Sequence, residues 1–433
     1  MFNALTDDSA HVADIHAEIL DVERSISSLR LEKELVLERL RLHKYLASKR
    51  LTRLKYWLKI PVLTAFAAER SRDAEIDAKT LELRGSLSAL RERRNSYSRV
   101  WSLPNEIITE IFIHSLPNYP LCPPLSGSYS PTRLTQICRE WRKIAVGTPA
   151  LWRAVSFTYS IPFAYQLCLC RIWLARSCSV PLSLACGIGV DIRQVLEVFT
   201  PHRERWEYLS LHLSLSHLPA IQGPTPLLRQ FNLMLQDRHL TRTKVALTEA
   251  PLLRTVLLDS TAAEHILLPW AQLTSLTLYT VNRAEYVAIL QKASRLVHCE
   301  LGLVKGLQHN LQPLPVITLR FLESLVLGNP DGKPVTGFLE TLIVPALRRL
   351  RISESFLAPN PIILFAAFIV KSNCKLQEVC VRGERLVSQA SYRKAYPSIK
   401  FSFTDRYRTD EEDTNLDTDE ESIVSDETWA TAV

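Results

Sequence analysis

The sequence predicts an α+β multidomain chain: an N-terminal helical, coiled-coil segment, a small all-α module near residue 100, and an irregular α/β solenoid in the C-terminal half. Three observations carry this reading. Apolar residues recur at heptad spacing from Val12. Residues 101–157 hold two apolar-faced helical stretches around a Pro-rich gap. From Trp206 onward one apolar-x-x-apolar-x-apolar pattern returns at intervals of 20 to 29 residues.

The heptads are read from Val12. Positions a are Val12, Ile19, Ile26, Lys33 and Leu40; positions d are Ile15, Val22, Leu29, Val36 and His43. Eight of these ten are apolar, and Glu and Arg fill much of the remainder, as a coiled coil requires. A Lys at an a position costs stability but selects register and oligomer state. Pro61 is expected to interrupt the helix. A second helical stretch follows over 67–94, with Ile76, Leu83, Leu87 and Leu90 as its stripe. Two arrangements satisfy this pattern: an intramolecular hairpin or association between chains. The boundaries are 1–60 for the first helix and 61–97 for the second helix and linker.

In the module, 98–157, Leu103-Pro104 suits a helix start because Pro presets φ in the first turn. Asn105 is a possible cap, and Glu106 suits the positive end of the helix dipole. Ile107, Ile108, Ile111 and Phe112 cover one broad helical face. Residues 117–131 contain five Pro and one Gly, so a loop follows. Leu134, Ile137, Cys138, Trp141 and Ile144 then recur at three- and four-residue steps as a second helix, ended by Gly147 and Pro149. Two short helices with this much apolar surface suit a module that docks onto another protein.

Leu-Pro-x-Glu-Ile at 103–107, Cys-x-x-Trp-Arg at 138–142 and Pro-x-Leu-Trp at 149–152 occur in order within about fifty residues. This set resembles the F-box of the large receptor families in mushroom-forming fungi; the long Pro-rich loop is its departure. The resemblance implies an adaptor that binds the Skp subunit, and through it a cullin, of SCF-type ubiquitin ligases. It assigns adaptor contact to Leu103, Pro104, Ile107, Ile108, Ile111, Phe112, Leu134, Ile137, Trp141 and Trp152.

Downstream, residues 161–177 and 191–199 read as helices and 181–184 as a short strand. The repeat then appears at Trp206/Leu209/Leu211, Leu228/Phe231/Leu233, Leu253/Val256/Leu258 and Leu273/Leu276/Leu278. It continues at Leu296/Cys299/Leu301, Leu322/Leu325/Leu327, Leu347/Leu350/Ile352 and Leu376/Val379/Val381. The period is that of leucine-rich repeats. Each unit supplies one strand whose apolar face is buried only by stacking on its neighbours. Pro226, Pro251, Pro269 and Pro345 sit just before strands and mark turns. The Asn or Cys that usually follows such strands is missing. A leucine-rich-repeat-like domain over 158–403, downstream of an F-box, resembles the family's target-binding architecture, with the strand face binding a protein target.

The formal net charge is +7, unevenly spread. Residues 41–59 hold seven Lys or Arg and no acid, read as a solvated helix flank rather than a nucleic-acid or membrane surface. The segment 404–433 contains eleven acids against Arg406 and Arg408 and reads as a disordered acidic tail. Thr409 and Thr418 lie there in acidic kinase-type contexts. Attraction between the basic stretch and the tail is an open hypothesis.

The 47% hydrophobic and 22% charged composition is ordinary for globular chains. No apolar run is long enough to span a membrane, and the N-terminus has no secretory pattern. Nine scattered Cys without a Cys-x-x-Cys favour buried reduced thiols, no metal, and a cytoplasmic or nuclear location. His-Glu-x-x-His, Gly-x-Ser-x-Gly and a phosphate-binding Gly loop are absent, so no catalytic residues and no cofactor are assigned. The reading is therefore a non-catalytic ligase adaptor; the alternative is a coiled-coil and repeat scaffold with no ligase link.

Overall fold

The computed structural model describes residues 2–50, 56–98, 100, 103–157, 161–236, 244–304, 315–330, 337–383 and 387–404; side chains of 2–10, 46–50, 56–63, 283 and 284 are excepted. The acidic tail, with Thr409 and Thr418, lies outside these residues, as does the part of the basic stretch at 51–55. The chain forms two compact units. The first comprises Met1–Ser115 and Arg133–Gly147, the second Leu116–Thr132 and Thr148–Val433.

In the first unit, α1 (Phe2–Arg50) and α2 (Tyr56–Ser96) pack antiparallel as a hairpin. Ion pairs set the direction, because early residues of α1 meet late residues of α2. Glu23 pairs with Arg91 at 2.7 Å, Glu32 with Arg72 at 2.9 Å and Arg39 with Glu69 at 3.5 Å. From Val12 to His43 every a and d position is buried or half-buried. Ile15, Ile19, Ile26 and Val36 of α1 and Ile76 of α2 form its buried apolar seam. Lys33 has an explanation in this arrangement: its ammonium lies between Asp73 and Asp77, the former at 3.8 Å. Exposed ion pairs contribute little energy, about 0.2–1 kcal/mol each, so the apolar seam holds the hairpin and the charges select its register.

The expected break at Pro61 is a correction. α2 runs through Pro61, and the interruption falls between α1 and α2 instead. Pro61 sits in the second turn of α2, where one backbone hydrogen bond is lost but the helix is not ended. Ile76→Asp would place an unpaired carboxylate in the seam. We expect it to cost about 2 kcal/mol or more and to raise amide exchange over 11–45 and 64–96 while the second unit keeps its protection.

The same unit contains α3 (Asn105–His114), α5 (Arg139–Val146) and all but the first two residues of α4 (Pro131–Ile137). Arg139 of α5 pairs with Glu92 of α2 at 2.8 Å, tying the short helices to the hairpin.

The second unit is built on an eleven-stranded sheet in which every adjacent pair is parallel. Its strands, in spatial and chain order, are β1 (Ala154–Phe157), β2 (Leu182–Cys186), β3 (Trp206–Leu213) and β4 (Gln230–Leu235), then β6 (Thr255–Asp259), β8 (Ser275–Val281) and β9 (His298–Leu303). β11 (Ser324–Gly328), β13 (Arg349–Ser353), β14 (Glu378–Arg382) and β15 (Lys400–Thr404) complete it. Two short parallel pairs lie between these in sequence, β5 (Val245–Ala246) with β7 (Ile266–Leu267) and β10 (Ile317–Thr318) with β12 (Leu342–Ile343). The helices of this unit are α6 (Phe163–Arg176), α7 (Ile192–Phe199), α8 (Ser260–His265), α9 (Arg283–Leu290), α10 (Pro361–Ser372) and α11 (Gln389–Ala395).

Register explains the repeat. Leu209, Phe231, Val256, Leu276, Cys299, Leu325, Leu350 and Val379 are successive partners across the sheet, as are Leu211, Leu233, Leu258, Leu278, Leu301, Leu327, Ile352 and Val381. All sixteen are buried. The apolar residue three positions earlier ends a tight turn. The N–H groups of Leu228, Leu253, Leu273, Leu322 and Leu347 each donate to the carbonyl three residues back, at 3.1–3.4 Å.

The sheet extends past the repeat at both ends. β1 lies inside the span assigned to the small helical module and carries Val155 and Phe157 into the same two buried rows. At the other end β15 adds Phe401 and Phe403. An aromatic cluster closes that end: Tyr392 and Tyr396 lie within 5.4–6.2 Å of Phe401, and the Tyr392 hydroxyl donates to buried Glu354 at 2.7 Å. Such terminal covers are what a stacked core needs at the last of its described strands.

α9 is opened by a capping box in which Asn282 N–H donates to the Glu285 carboxylate at 2.8 Å and Glu285 N–H returns to Asn282 Oδ1 at 3.4 Å. Burial, aided by a hydrogen bond with Glu264 and that group's charge, pushes the Glu285 carboxyl up to about 7. The folded chain therefore holds this proton more tightly than the unfolded chain, whose value is near 4.5. The stabilisation is complete below about pH 4.5 and is lost as pH rises through 7. Glu285→Gln is expected to flatten thermal stability across this window, measured by melting temperature at half-unit pH steps.

Candidate docking site

α3 begins with Pro104 at the cap position, its carbonyl accepting from Ile107 N at 3.0 Å and Ile108 N at 3.1 Å. There is no side-chain cap; Asn105 is the first helical residue, not the cap. Glu106 occupies the first turn as the dipole favours.

The second helix expected from the Leu134-to-Ile144 spacing is two helices. Cys138 is extended, with φ −156°, and its sulfur accepts from Trp141 N at 3.4 Å, capping α5. Arg142 Nε reaches back to the Thr135 carbonyl at 2.7 Å, satisfying the end of α4. Upstream, Pro131 is not loop but the first residue of α4, and Ser130 caps it by accepting from Thr132 N at 3.2 Å.

The ten residues assigned to adaptor contact separate by exposure. Ile108 and Phe112 are 1% exposed, Leu134 is buried and Trp152 is wholly buried. Phe112 packs on half-buried Trp141, ring centres 4.7 Å apart. The Phe112–Trp141 contact joins α3 to α5. Leu103, Pro104, Ile107, Ile111 and Ile137 point outward, with Ile107 and Ile111 each 47% and Ile137 51% exposed. Val146 at the end of α5, not singled out from sequence, is also exposed. Ile107 and Ile111 stand four residues apart within α3 and so form one apolar ridge, and exposed Leu103 lies just before the helix.

The assignment of Ile108, Phe112, Leu134 and Trp152 to a partner surface is therefore corrected: their area is already removed from water. Trp152 belongs to the sheet-bearing unit, edge-on to Trp173 at 5.6 Å with the Arg176 guanidinium 4.5 Å above its ring. No periodicity argument separates the inner from the outer set, because Ile107 and Ile108, or Ile111 and Phe112, are only about 100° apart on the helix.

The Pro-rich loop between α3 and α4 is anchored within the second unit. Tyr119 donates to the Glu207 carboxylate at 2.9 Å, meets Tyr208 edge-on at 5.3 Å, and carries the Arg153 guanidinium 3.6 Å over its ring. Burial and the Glu207 bond push its hydroxyl pKa up. Ser183 of β2 donates to the Pro120 carbonyl at 2.7 Å, and Leu125 is buried.

Other chemistry is sparse. Burial pushes the thiols of Cys170, Cys186 and Cys299 up to about 12, which keeps them protonated and poorly nucleophilic. Among the described residues no group of three or more His, Cys, Asp or Glu could hold a metal. No helix among them is long and apolar enough to cross a membrane.

An outward apolar ridge on a small helical unit is the kind of exposed surface that marks a protein-interaction site, and the same chain carries a long parallel sheet. Residues 100–158 match the family model for F-box-like domains. A comparison with curated proteins gives no match. An F-box-like domain suggests an adaptor role on the Skp subunit of SCF complexes, and such proteins are typically adaptors rather than enzymes.

Proposed function

We propose that this chain is the target-recognition subunit of a cullin–RING ubiquitin ligase of SCF type. The α3 ridge binds the Skp adaptor, the adaptor links the chain to a cullin, and the sheet-bearing unit holds a protein target. The observation that carries the reading is that Leu103, Pro104, Ile107 and Ile111 remain on the outside within the segment that matches the F-box-like family. Covering a large aliphatic side chain is worth roughly 1.5–3 kcal/mol when it starts fully exposed, and less here because each is already half covered. Several such contacts are still enough to bias a docking equilibrium.

We read the sheet as leucine-rich-repeat-like on its register, its period and its turn before each strand. Target side chains would meet the open face between the buried rows, and the subunit contributes proximity, raising the concentration of target lysines beside the transfer enzyme. The hairpin of α1 and α2 acts as a coiled-coil arm; its seam is occupied within one chain, and self-association would use its outer faces. The work of the chain is done in the cytoplasm or nucleus.

The test is affinity capture from cells with the unmodified chain and with Ile107→Asp/Ile111→Asp. The unmodified chain should bring down Skp adaptor and cullin. The variant should lose both and retain target proteins, which accumulate instead of being degraded. Capture of neither adaptor nor cullin by the unmodified chain would leave the scaffold alternative.

A further inference from the structure

We propose that the outer face of α1 is an interface between two copies of this chain, paired antiparallel about a two-fold axis at Leu31. The inference does not depend on the ligase reading; it stands on the exposure and spacing of side chains along one helix.

The seam of the hairpin leaves the far side of α1 uncovered. That side carries Leu20, Leu31, Leu35 and Leu42, exposed by 41%, 65%, 57% and 57%. At about 100° per residue the four fall within about 60° of one another, and about 180° from the seam residues Ile15, Ile19, Ile26 and Val36. The polar side chains between them, Arg24, Ser27 and Glu38, are exposed as well. Single exposed leucines are ordinary on a protein surface; four in one stripe about 33 Å long mark an interaction face.

The spacing identifies the occupant. From Leu31 the stripe steps four, three and four residues in each direction, back through Ser27 and Arg24 to Leu20 and forward through Leu35 and Glu38 to Leu42. A stripe that reads the same both ways is complementary to itself when turned end over end, as a contact between identical surfaces requires. In that pairing Leu31 meets its own copy, Leu20 meets Leu42, and Ser27 leaves room for Leu35.

Charge selects the orientation. Arg24 of one copy stands level with Glu38 of the other, so the charged positions inside the stripe become two ion pairs. Arg30 and Glu34 flank the stripe on one side, and the two-fold axis keeps like sides together. Arg30 therefore comes within about 3 Å of the level of Glu34 in the second copy. Parallel pairing would stack Arg24 on Arg24 and Glu38 on Glu38 instead. Among the described residues Arg30, Glu34 and Glu38 form no ion pair, and Arg24 makes an exposed one with Asp21 at 3.6 Å. A stripe of this length on a helix about 10–12 Å across offers roughly a few hundred Å² per copy. That lies at the low end for specific interfaces, so the expected pairing is a concentration-dependent dimer with a dissociation constant on the order of micromolar. Paired in this way, one assembly carries two α3 ridges and two sheet-bearing units.

The experiment is sedimentation velocity of the full chain from about 1 to about 100 µM. The mass is expected to rise from one chain toward two. Leu31→Glu sets two carboxylates face to face on the axis and should raise the dissociation constant at least about tenfold. Arg24→Glu and Glu38→Arg should each weaken pairing severalfold. Arg24→Glu/Glu38→Arg together should restore it, because the swap re-creates both ion pairs only in the antiparallel arrangement. All three positions are exposed, so circular dichroism should show the hairpin helices unchanged in every variant. The proposal is overturned by a mass that stays at one chain throughout, by assemblies larger than two, or by a dimer that Leu31→Glu leaves intact. It is equally overturned by a double swap that pairs no better than the single variants, or by loss of helicity in Leu31→Glu, which would place that side chain inside the chain's own fold.

Discussion

Ile107→Asp together with Ile111→Asp is expected to abolish binding of purified Skp adaptor, a loss of at least about 100-fold, while the melting temperature changes little. Both side chains are half exposed, so the substitutions remove no buried contact from the chain itself. In the complex each would leave a carboxylate against an apolar partner surface. Burying a charge without a partner costs several kcal/mol, and 2.7 kcal/mol is already about 100-fold. The paired control is Ile108→Asp, which strikes the buried neighbour and is expected to lower the melting temperature as well as binding. Equal stability loss in both variants would mean that the outer ridge is internal after all.

Trp152→Ala carries the second large expected effect, and it falls on stability. The ring is fully buried, edge-on to Trp173 and capped by Arg176, at the start of the parallel sheet. Removing a buried Trp typically costs about 3–5 kcal/mol, part lost transfer energy and part the cavity left behind. Denaturant unfolding should show that loss in the sheet-bearing unit. The F-box resemblance placed Trp152 among adaptor contacts. If Trp152→Ala instead weakened adaptor binding with unfolding unchanged, the division between inner and outer residues would be wrong.

How much of this was legible beforehand follows from the physics of each element. The heptad stripe of α1 was, because every a and d position from Val12 to His43 is buried or half-buried, and its charged exception is informative: Lys33 finds Asp73 and Asp77, charges that no α1 periodicity contains. Whether the seam closes within one chain was not, because heptads specify a stripe and leave its partner open. The strands of the central sheet were legible, since each must present two apolar residues at period two after an apolar turn residue. β15 escaped because Ser398 stands where that turn residue would be and aromatics from the last helices cover it instead. β1 has the full spacing, Trp152, Val155 and Phe157, yet follows so closely on α5 that it reads as the end of the helical module. The break at Cys138 was invisible for a related reason: apolar spacing continues across it, and a thiol cap leaves no sequence signature as clear as Ser or Asp. For the docking ridge, resemblance supplied the segment and exposure supplied the choice of side chains within it.

The central claim is that the α3 ridge is covered by the Skp adaptor. Hydroxyl-radical footprinting of the full chain with and without purified adaptor measures this at single side chains. Strong protection of Leu103, Ile107 and Ile111 on adding adaptor, with Ile108 and Phe112 unreactive in both states, is the predicted result. Unchanged labelling of the three outer residues at saturating adaptor would contradict the account.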